Sequence, residues 1–350
     1  MTAIPKTMQA ARFEAATASL RVEDVPVPEL APLEVLVRVK ACGICLSDVH
    51  MIDGSLPTSL PVVTPGHEAA GVIAAVGTAV TYWQLGQPVV MAGGKPCMAC
   101  ESCGRGRLER CSSIQVMGFS YDGAWAEYVA VPSFVLTPLP EWLPFEQAAI
   151  LADAVSTPYA GLIGRAQLTA GESIGLWGIG GLGVHAVQIA RLVGAAPIVA
   201  IDPLPAARER ALLAGADYAL DALAPDLLDQ LRELTAGEGL DVAVDLVGSN
   251  VVLAQAASSL GRFGRVVMIG LSLDPIELGM GALFGISSHS LLGHIGYSKA
   301  DLDRVVDLVA RKRLDVSASI SAVLPLADVA AGVERLRSKA GNPIRLVIKP

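Results

Sequence analysis

A chain of 350 residues exceeds one typical domain and suits two, with a cleft between them as the expected place for a ligand. Hydrophobic residues make up 52% and charged residues 17%, which argues against a disordered polymer and for buried parallel strands. A net charge of −8 without a dense Lys/Arg tract argues against nucleic acid or an anionic membrane as main partner. No run approaches the roughly 18 apolar residues of a membrane helix, and the opening MTAIPKTMQAARFE has no apolar signal core, so a cytoplasmic protein acting on a small molecule is expected.

Through about residue 150 the chain offers short β-type runs (EVLVRVKA, GVIAAVG, QPVVMA, AEYVAV) punctuated by Gly and Pro, which predicts an all-β, loop-rich domain. From Gly171 the pattern becomes apolar strand, Gly turn and helix, repeated: SIGLWG, VHAVQIARLVG, PIVAID, then a polar-faced helix through Arg208 and Arg210. It continues through DVAVDLVG, GRVVMIGL and SLLGHIG, the alternation of a doubly wound parallel sheet. A helix in DLDRVVDLVARKRL and a last strand in RLVIK are expected to return to the first domain. The expected division is 1–152 with 297–350, and 153–296.

All six cysteines, at positions 42, 45, 97, 100, 103 and 111, fall in the first third, which suggests metal before disulfide. Cys97, Cys100, Cys103 and Cys111 suit a closed four-sulfur zinc site or an iron–sulfur cluster. Zinc is preferred, because the segment carries GRGR and polar loop residues rather than a core pattern. Such a shell leaves no open position for chemistry. Cys45 in CGICLSDVH and His67 in GHE offer a second thiolate and imidazole. Taken singly, a His beside a Gly is more often structural than a ligand.

In SIGLWGIGGLG, Gly178, Gly180 and Gly183 close a strand and open a helix, the context in which GxGxxG binds a dinucleotide. Gly181 and Leu182 belong to the same turn. Asp202 follows Gly183 by 19 residues at the end of PIVAID, placed to accept the adenosine ribose hydroxyls and to repel a 2′-phosphate. No arginine follows until Arg208, so NAD rather than NADP is expected.

In this order, Cys45-x-Ser47-Asp48-x-His50, Gly66-His67-Glu68, the four-cysteine loop and the GxGxxG turn resemble the zinc-containing medium-chain alcohol dehydrogenase family over essentially the whole chain. The resemblance implies a GroES-like β-barrel catalytic domain, a Rossmann domain, NAD and two zinc ions per chain. It also implies a homodimer or homotetramer. Cys45 and His67 become ligands of the reactive zinc and Glu68 a nearby carboxylate. Asp153 stands where the family usually has Cys, as in bacterial relatives with Asp there; it keeps the same formal charge, although the same residue could simply cap a helix.

The resemblance assigns a proton relay to Ser47 and His50, orientation of His67 to Asp48, and cofactor contacts to Thr157, Val247 and Ile269. The alternative for Ser47 is a turn-capping hydroxyl, for His50 a solvated loop histidine, and for Thr157 a helix-face residue. His185 is expected to be structural, and His289 and His294 have no assignment. Gly93 and Gly94 hint at room beside the substrate, with Leu56, Met117 and Trp125 as apolar lining. The activity implied is reversible hydride transfer between NAD and medium-sized hydrophobic primary or secondary alcohols. The alternatives are a dehydrogenase of cyclic hydroxyacyl-CoA thioesters and a silent NAD-binding regulatory protein.

Overall fold

The computed structural model describes residues 3–278 and 281–350. The chain divides into two compact units, one of residues up to Ala154 with Ser298–Pro350, the other Val155–Tyr297.

The first unit is built on Glu34–Ile44, an 11-residue strand of mostly apolar residues. It pairs antiparallel with Ala69–Val76, Tyr128–Pro132 and Arg345–Lys349, so the C-terminal strand joins the same seven-stranded sheet. A three-stranded sheet of Thr7–Glu14, Ser19–Pro26 and Val62–Val63 completes the β framework. The helix Lys299–Ala310 also belongs here; Ser298 caps it, its hydroxyl accepting from Asp301 N–H while the Asp301 carboxylate accepts from Ser298 N–H.

The second unit is a six-stranded parallel sheet. Its order is Tyr218–Leu220, Ile198–Ile201, Ile174–Trp177, Leu240–Asp245, Leu260–Met268, Ser290–Gly293. That is the doubly wound order, with its switch point between Ile174–Trp177 and Leu240–Asp245. Ile174–Trp177 and Ile198–Ile201 are buried along their whole length, as a strand covered on both faces must be. Gly194 and Gly215, at φ of 90° and 109°, end the helices Gly183–Val193 and Pro205–Ala214 in the left-handed conformation. Among the described residues, no helix is long and apolar enough to cross a membrane.

Candidate active site and metal centres

Cys45 precedes the short helix Leu46–Ile52, and its N–H donates to Asp48 Oδ2 at 2.9 Å. Asp48 is fully buried, and its other oxygen faces His67 Nδ1 at 3.3 Å. One carboxylate thus caps the helix that carries Ser47 and stands beside the imidazole. The far ring atom, His67 Nε2, lies 3.3 Å from Ser47 Oγ and 3.8 Å from Asp153 Oδ2. Cys45 Sγ donates to Asp153 Oδ2 at 3.3 Å. Asp153 itself sits in a widened π turn, Leu151–Val155, a local distortion common at functional sites.

Ligand atoms of Cys45, His67, Glu68 and Asp153 lie within 4.8 Å of one another. Burial raises the Cys45 thiol, helped by the Asp153 charge. Burial also pushes Glu68 up to about 8, against the pull of Arg345. Burial would lower His67, but Asp48 and Asp153 outweigh it and hold the imidazole well above its ordinary value. Three acidic groups in so small a buried volume are an unbalanced set that a divalent cation neutralises, and thiolate, imidazole and carboxylate are zinc donors. The donor set fits zinc.

Arg345, on the C-terminal strand, places Nη2 3.0 Å from Glu68 Oε1, both side chains being almost wholly buried. Neither Glu68 oxygen has a hydrogen bond, and a Cβ on Gly43 would run into that carboxylate. Sequence reasoning missed Arg345; the available signal was a cation opening a strand whose next three residues are apolar. His50 lies on the helix of Ser47, partly exposed, its Nδ1 3.8 Å from Asp53 Oδ2.

The expected substrate lining needs correction. Met117 and Trp125 are fully buried, and the Trp125 indole N–H donates to the Gly43 carbonyl, so both are core. Gly94 faces Ile114 at the base of the cysteine loop rather than a substrate space. The apolar ring beside His67 is Phe119, its centroid 5.6 Å away, and its carbonyl accepts from Ser59 N–H and the Thr58 hydroxyl.

Cys97, Cys100, Cys103 and Cys111 likewise bring their sulfurs within 4.8 Å of one another, and all six cysteines are free thiols. The loop closes on the two-residue pair Gly94–Lys95 with Gln115–Val116. Backbone N–H groups of Cys97 and Ser113 point at Cys111 Sγ, at 3.2 and 3.4 Å, and that of Cys100 at Cys97 Sγ, at 3.3 Å. Backbone donors pull the Cys100 thiol down to about 6, favouring thiolate. Burial raises Cys103 to about 12, with the neighbouring Cys100 and Cys111 thiols adding to it.

In the second unit, the turn after Ile174–Trp177 carries Gly178 at φ 91°, and a Cβ on Gly183 would strike the Gly178 carbonyl. Around Gly180 a Cβ would meet nothing, leaving space for close approach of a phosphate to backbone. Gly181 and Leu182 complete the turn. Asp202 accepts Ile179 N–H and Leu204 N–H, one on each oxygen, at 2.8 Å each. Each oxygen keeps a lone pair for a ribose hydroxyl. Arg208 is already spent on the Asp202 and Pro203 carbonyls and on Asp221.

His185 is fully buried, with Nδ1 2.8 Å from the Gly181 carbonyl. His294 Nε2 lies 3.2 Å from the Thr157 carbonyl, and a Cβ on Gly161 would meet both Ile269 and His294, so Thr157, Ile269 and His294 form one cluster. His289 stands edge-on to Phe284 at 5.4 Å.

The alcohol dehydrogenase GroES-like domain family matches residues 31–141, and the zinc-binding dehydrogenase family matches 181–311. An NAD-dependent alcohol dehydrogenase of Sulfurisphaera tokodaii is 36% identical over 275 residues, 75% of this chain and 78% of that one. The chain belongs to the zinc-containing medium-chain alcohol dehydrogenase family. The crystal structure of alcohol dehydrogenase TADH from Thermus sp. ATN1 superposes on this dehydrogenase with a TM-score of 0.90 at 32% identity, covering 98% of this chain and 99% of that one. A zinc-binding dehydrogenase of Sinorhizobium meliloti bound to NADP gives 0.91 at 26% identity, covering 99% and 100%. The dehydrogenase is an oxidoreductase with a GroES-like domain and a Rossmann-type domain.

Proposed function

We propose that this dehydrogenase interconverts medium-sized hydrophobic primary or secondary alcohols and the matching aldehydes or ketones. NAD is the hydride carrier; one zinc is held by Cys45, His67 and Asp153, and a second, structural, zinc by Cys97, Cys100, Cys103 and Cys111. The observation that carries the reading is the convergence of Cys45, His67, Glu68 and Asp153 beside Ser47, with the Phe119 ring as an apolar neighbour.

When bound, zinc supplies the Lewis acidity that makes a substrate hydroxyl acidic near neutral pH, and NAD supplies the hydride acceptor. The chain's own residues do the rest. Ser47 Oγ takes the hydroxyl proton, and His50, at the solvent side of the same helix, returns it to bulk water. Asp48 fixes the ring of His67 so that Nε2 faces the donor cluster. Arg345 balances Glu68, so that two anionic ligands, Cys45 and Asp153, remain to neutralise a divalent ion.

On the cofactor side, Gly178, Gly180, Gly181, Leu182 and Gly183 cradle the pyrophosphate, and Asp202 holds the adenosine ribose. Arg208 is occupied by the Asp202 and Pro203 carbonyls and Asp221, and Arg210 by the Ile179 carbonyl, so a 2′-phosphate would meet the Asp202 carboxylate with both neighbouring arginines already engaged, which favours NAD over NADP. Thr157, Val247 and Ile269 serve the nicotinamide side. A homodimer or homotetramer is supported by the edge position of Ser290–Gly293 in its sheet and by exposed Leu271, Leu273 and Ile295 nearby in sequence. Free cysteines suit a reducing cytoplasm.

The test is a panel of alcohols and ketones assayed with NAD and with NADP on protein of measured zinc content. Two zincs per chain, kcat/KM higher with NAD and a preference for apolar alcohols are expected. A CoA thioester outcompeting simple alcohols, or kcat/KM higher with NADP, overturns the substrate or the cofactor assignment respectively.

A further inference from the structure

Asp245 ends the strand Leu240–Asp245, on the far side of the switch point from Asp202, and is almost completely buried. It gathers four backbone N–H groups. Its carboxylate Oδ1 accepts from Val247 and Gly248, at 2.8 and 2.9 Å. Its carbonyl accepts from Ile269 and Gly270, at 2.8 and 2.9 Å. The main-chain carbonyl thus holds the turn after the neighbouring strand, Leu260–Met268, while the carboxylate holds the turn after its own strand against it.

The two turns are pressed together with no space to spare. A Cβ on Gly270 would strike the backbone of Val247 and Gly248, and one on Gly248 would strike the Leu271 carbonyl. Val247, whose side chain is half-exposed, reaches across the switch point: a Cβ on Gly178 would meet Val247 Cγ2 at 2.6 Å. Ile269 lies in the Thr157 and His294 cluster. Meanwhile the second carboxylate oxygen, Oδ2, is buried without a hydrogen bond, and burial raises the carboxyl pKa against the pull of the Gly248 and Val247 N–H groups.

In a doubly wound sheet the dinucleotide spans the switch point, one mononucleotide on each half. We propose that Asp245 is a positioning residue for the nicotinamide half of the cofactor, holding the Val247 and Ile269 turns in fixed relation to the glycine turn. This rests on the assignment of NAD to that crest. It adds a residue outside the glycine turn and outside the strand that carries Asp202, and it makes the nicotinamide side separable from the adenosine side.

The experiment titrates full-length, zinc-loaded enzyme with NADH and, separately, with ADP-ribose, which lacks the nicotinamide. Asp245→Ala is expected to weaken NADH at least tenfold and to raise KM for NAD, with ADP-ribose affinity within twofold of wild type. Asp245→Asn, which keeps an oxygen for the Val247 and Gly248 donors, is expected to recover most of the loss. Gly270→Ala leaves Asp245 intact but wedges the two turns apart, and should show the same split even if Asp245→Ala fails to fold. Unchanged NADH binding in Asp245→Ala, or in Gly270→Ala where Asp245→Ala cannot be isolated, overturns the proposal. So does an equal loss of both ligands, which would mark a purely structural residue. Wild-type enzyme that binds neither ligand would instead overturn the cofactor assignment.

Discussion

The two candidate metal centres lie in the same unit and use overlapping donor types, yet they are assembled in opposite ways. The four-cysteine centre draws every sulfur from one short loop, and the N–H groups that point at those sulfurs come from the same loop. The mixed centre draws Cys45 from a helix start, His67 and Glu68 from the approach to a strand, and Asp153 from a π turn. It depends further on Asp48 and on Arg345 from the C-terminal strand. Local closure with four sulfurs makes a staple. The dispersed donors of mixed type have a hydroxyl, Ser47, and a ring, Phe119, as neighbours of His67, which the closed four-sulfur centre lacks; the mixed centre is therefore the one proposed to carry the chemistry.

The sharpest break in this comparison is the loss of chemistry without loss of metal. Ser47→Ala removes the hydroxyl facing His67 but no donor, so kcat for alcohol oxidation should fall about 10²–10⁴-fold while zinc content stays at two per chain. Metal analysis alongside steady-state kinetics checks both halves. Near-normal turnover would remove Ser47 from the proton path.

The cysteine loop should respond in the reverse sense. Cys103→Ser takes one donor from the closed centre, and is expected to leave one zinc per chain and lower Tm by roughly 5–10 °C. The kcat of the protein that remains folded should stay within about threefold of wild type, since Ser47, His67 and Asp153 are untouched. Calorimetry and activity on one preparation test this. A kcat loss as large as that of Ser47→Ala would mean the two centres are not functionally separate.

The same contrast explains what could be read from the sequence. Cys97, Cys100, Cys103 and Cys111 announce themselves by spacing, and the turn from Gly178 to Gly183 does so by sitting between an apolar run and a helix. These are features in which the chain's neighbours in sequence are also its neighbours in space. Arg345 meets Glu68 only because the last strand pairs with Glu34–Ile44, a contact spanning most of the chain that no local pattern encodes. Trp125 and Met117 looked like lining because both are large and apolar, but such residues serve a core as readily as a pocket. Phe119, two residues from Met117, stands beside His67 on a backbone whose carbonyl is held by Ser59 N–H and the Thr58 hydroxyl, contacts between distant residues that no local pattern encodes. Asp245 was legible as a strand end and illegible as a clamp, because its four donors come from two different turns.

The smallest expected effect tests what the mixed centre requires of Asp153. If its part is charge and reach, then Asp153→Cys should serve. A thiolate restores the formal charge, and the longer zinc–sulfur bond, about 2.3 Å against 2.0–2.2 Å for oxygen, offsets the shorter side chain. Two zincs per chain and kcat/KM within about tenfold of wild type are expected. Asp153→Asn keeps the shape and discards the charge, leaving Cys45 as the single anionic ligand once Glu68 is paired with Arg345. It should therefore hold the catalytic zinc more weakly, by roughly 10–100-fold, as a competition titration with a chelator would read. Equal zinc affinity in Asp153→Asn and wild type would show that Asp153 only shapes the π turn. The donor set would then be Cys45, His67 and Glu68, and Arg345 would have to release its partner for the site to fill.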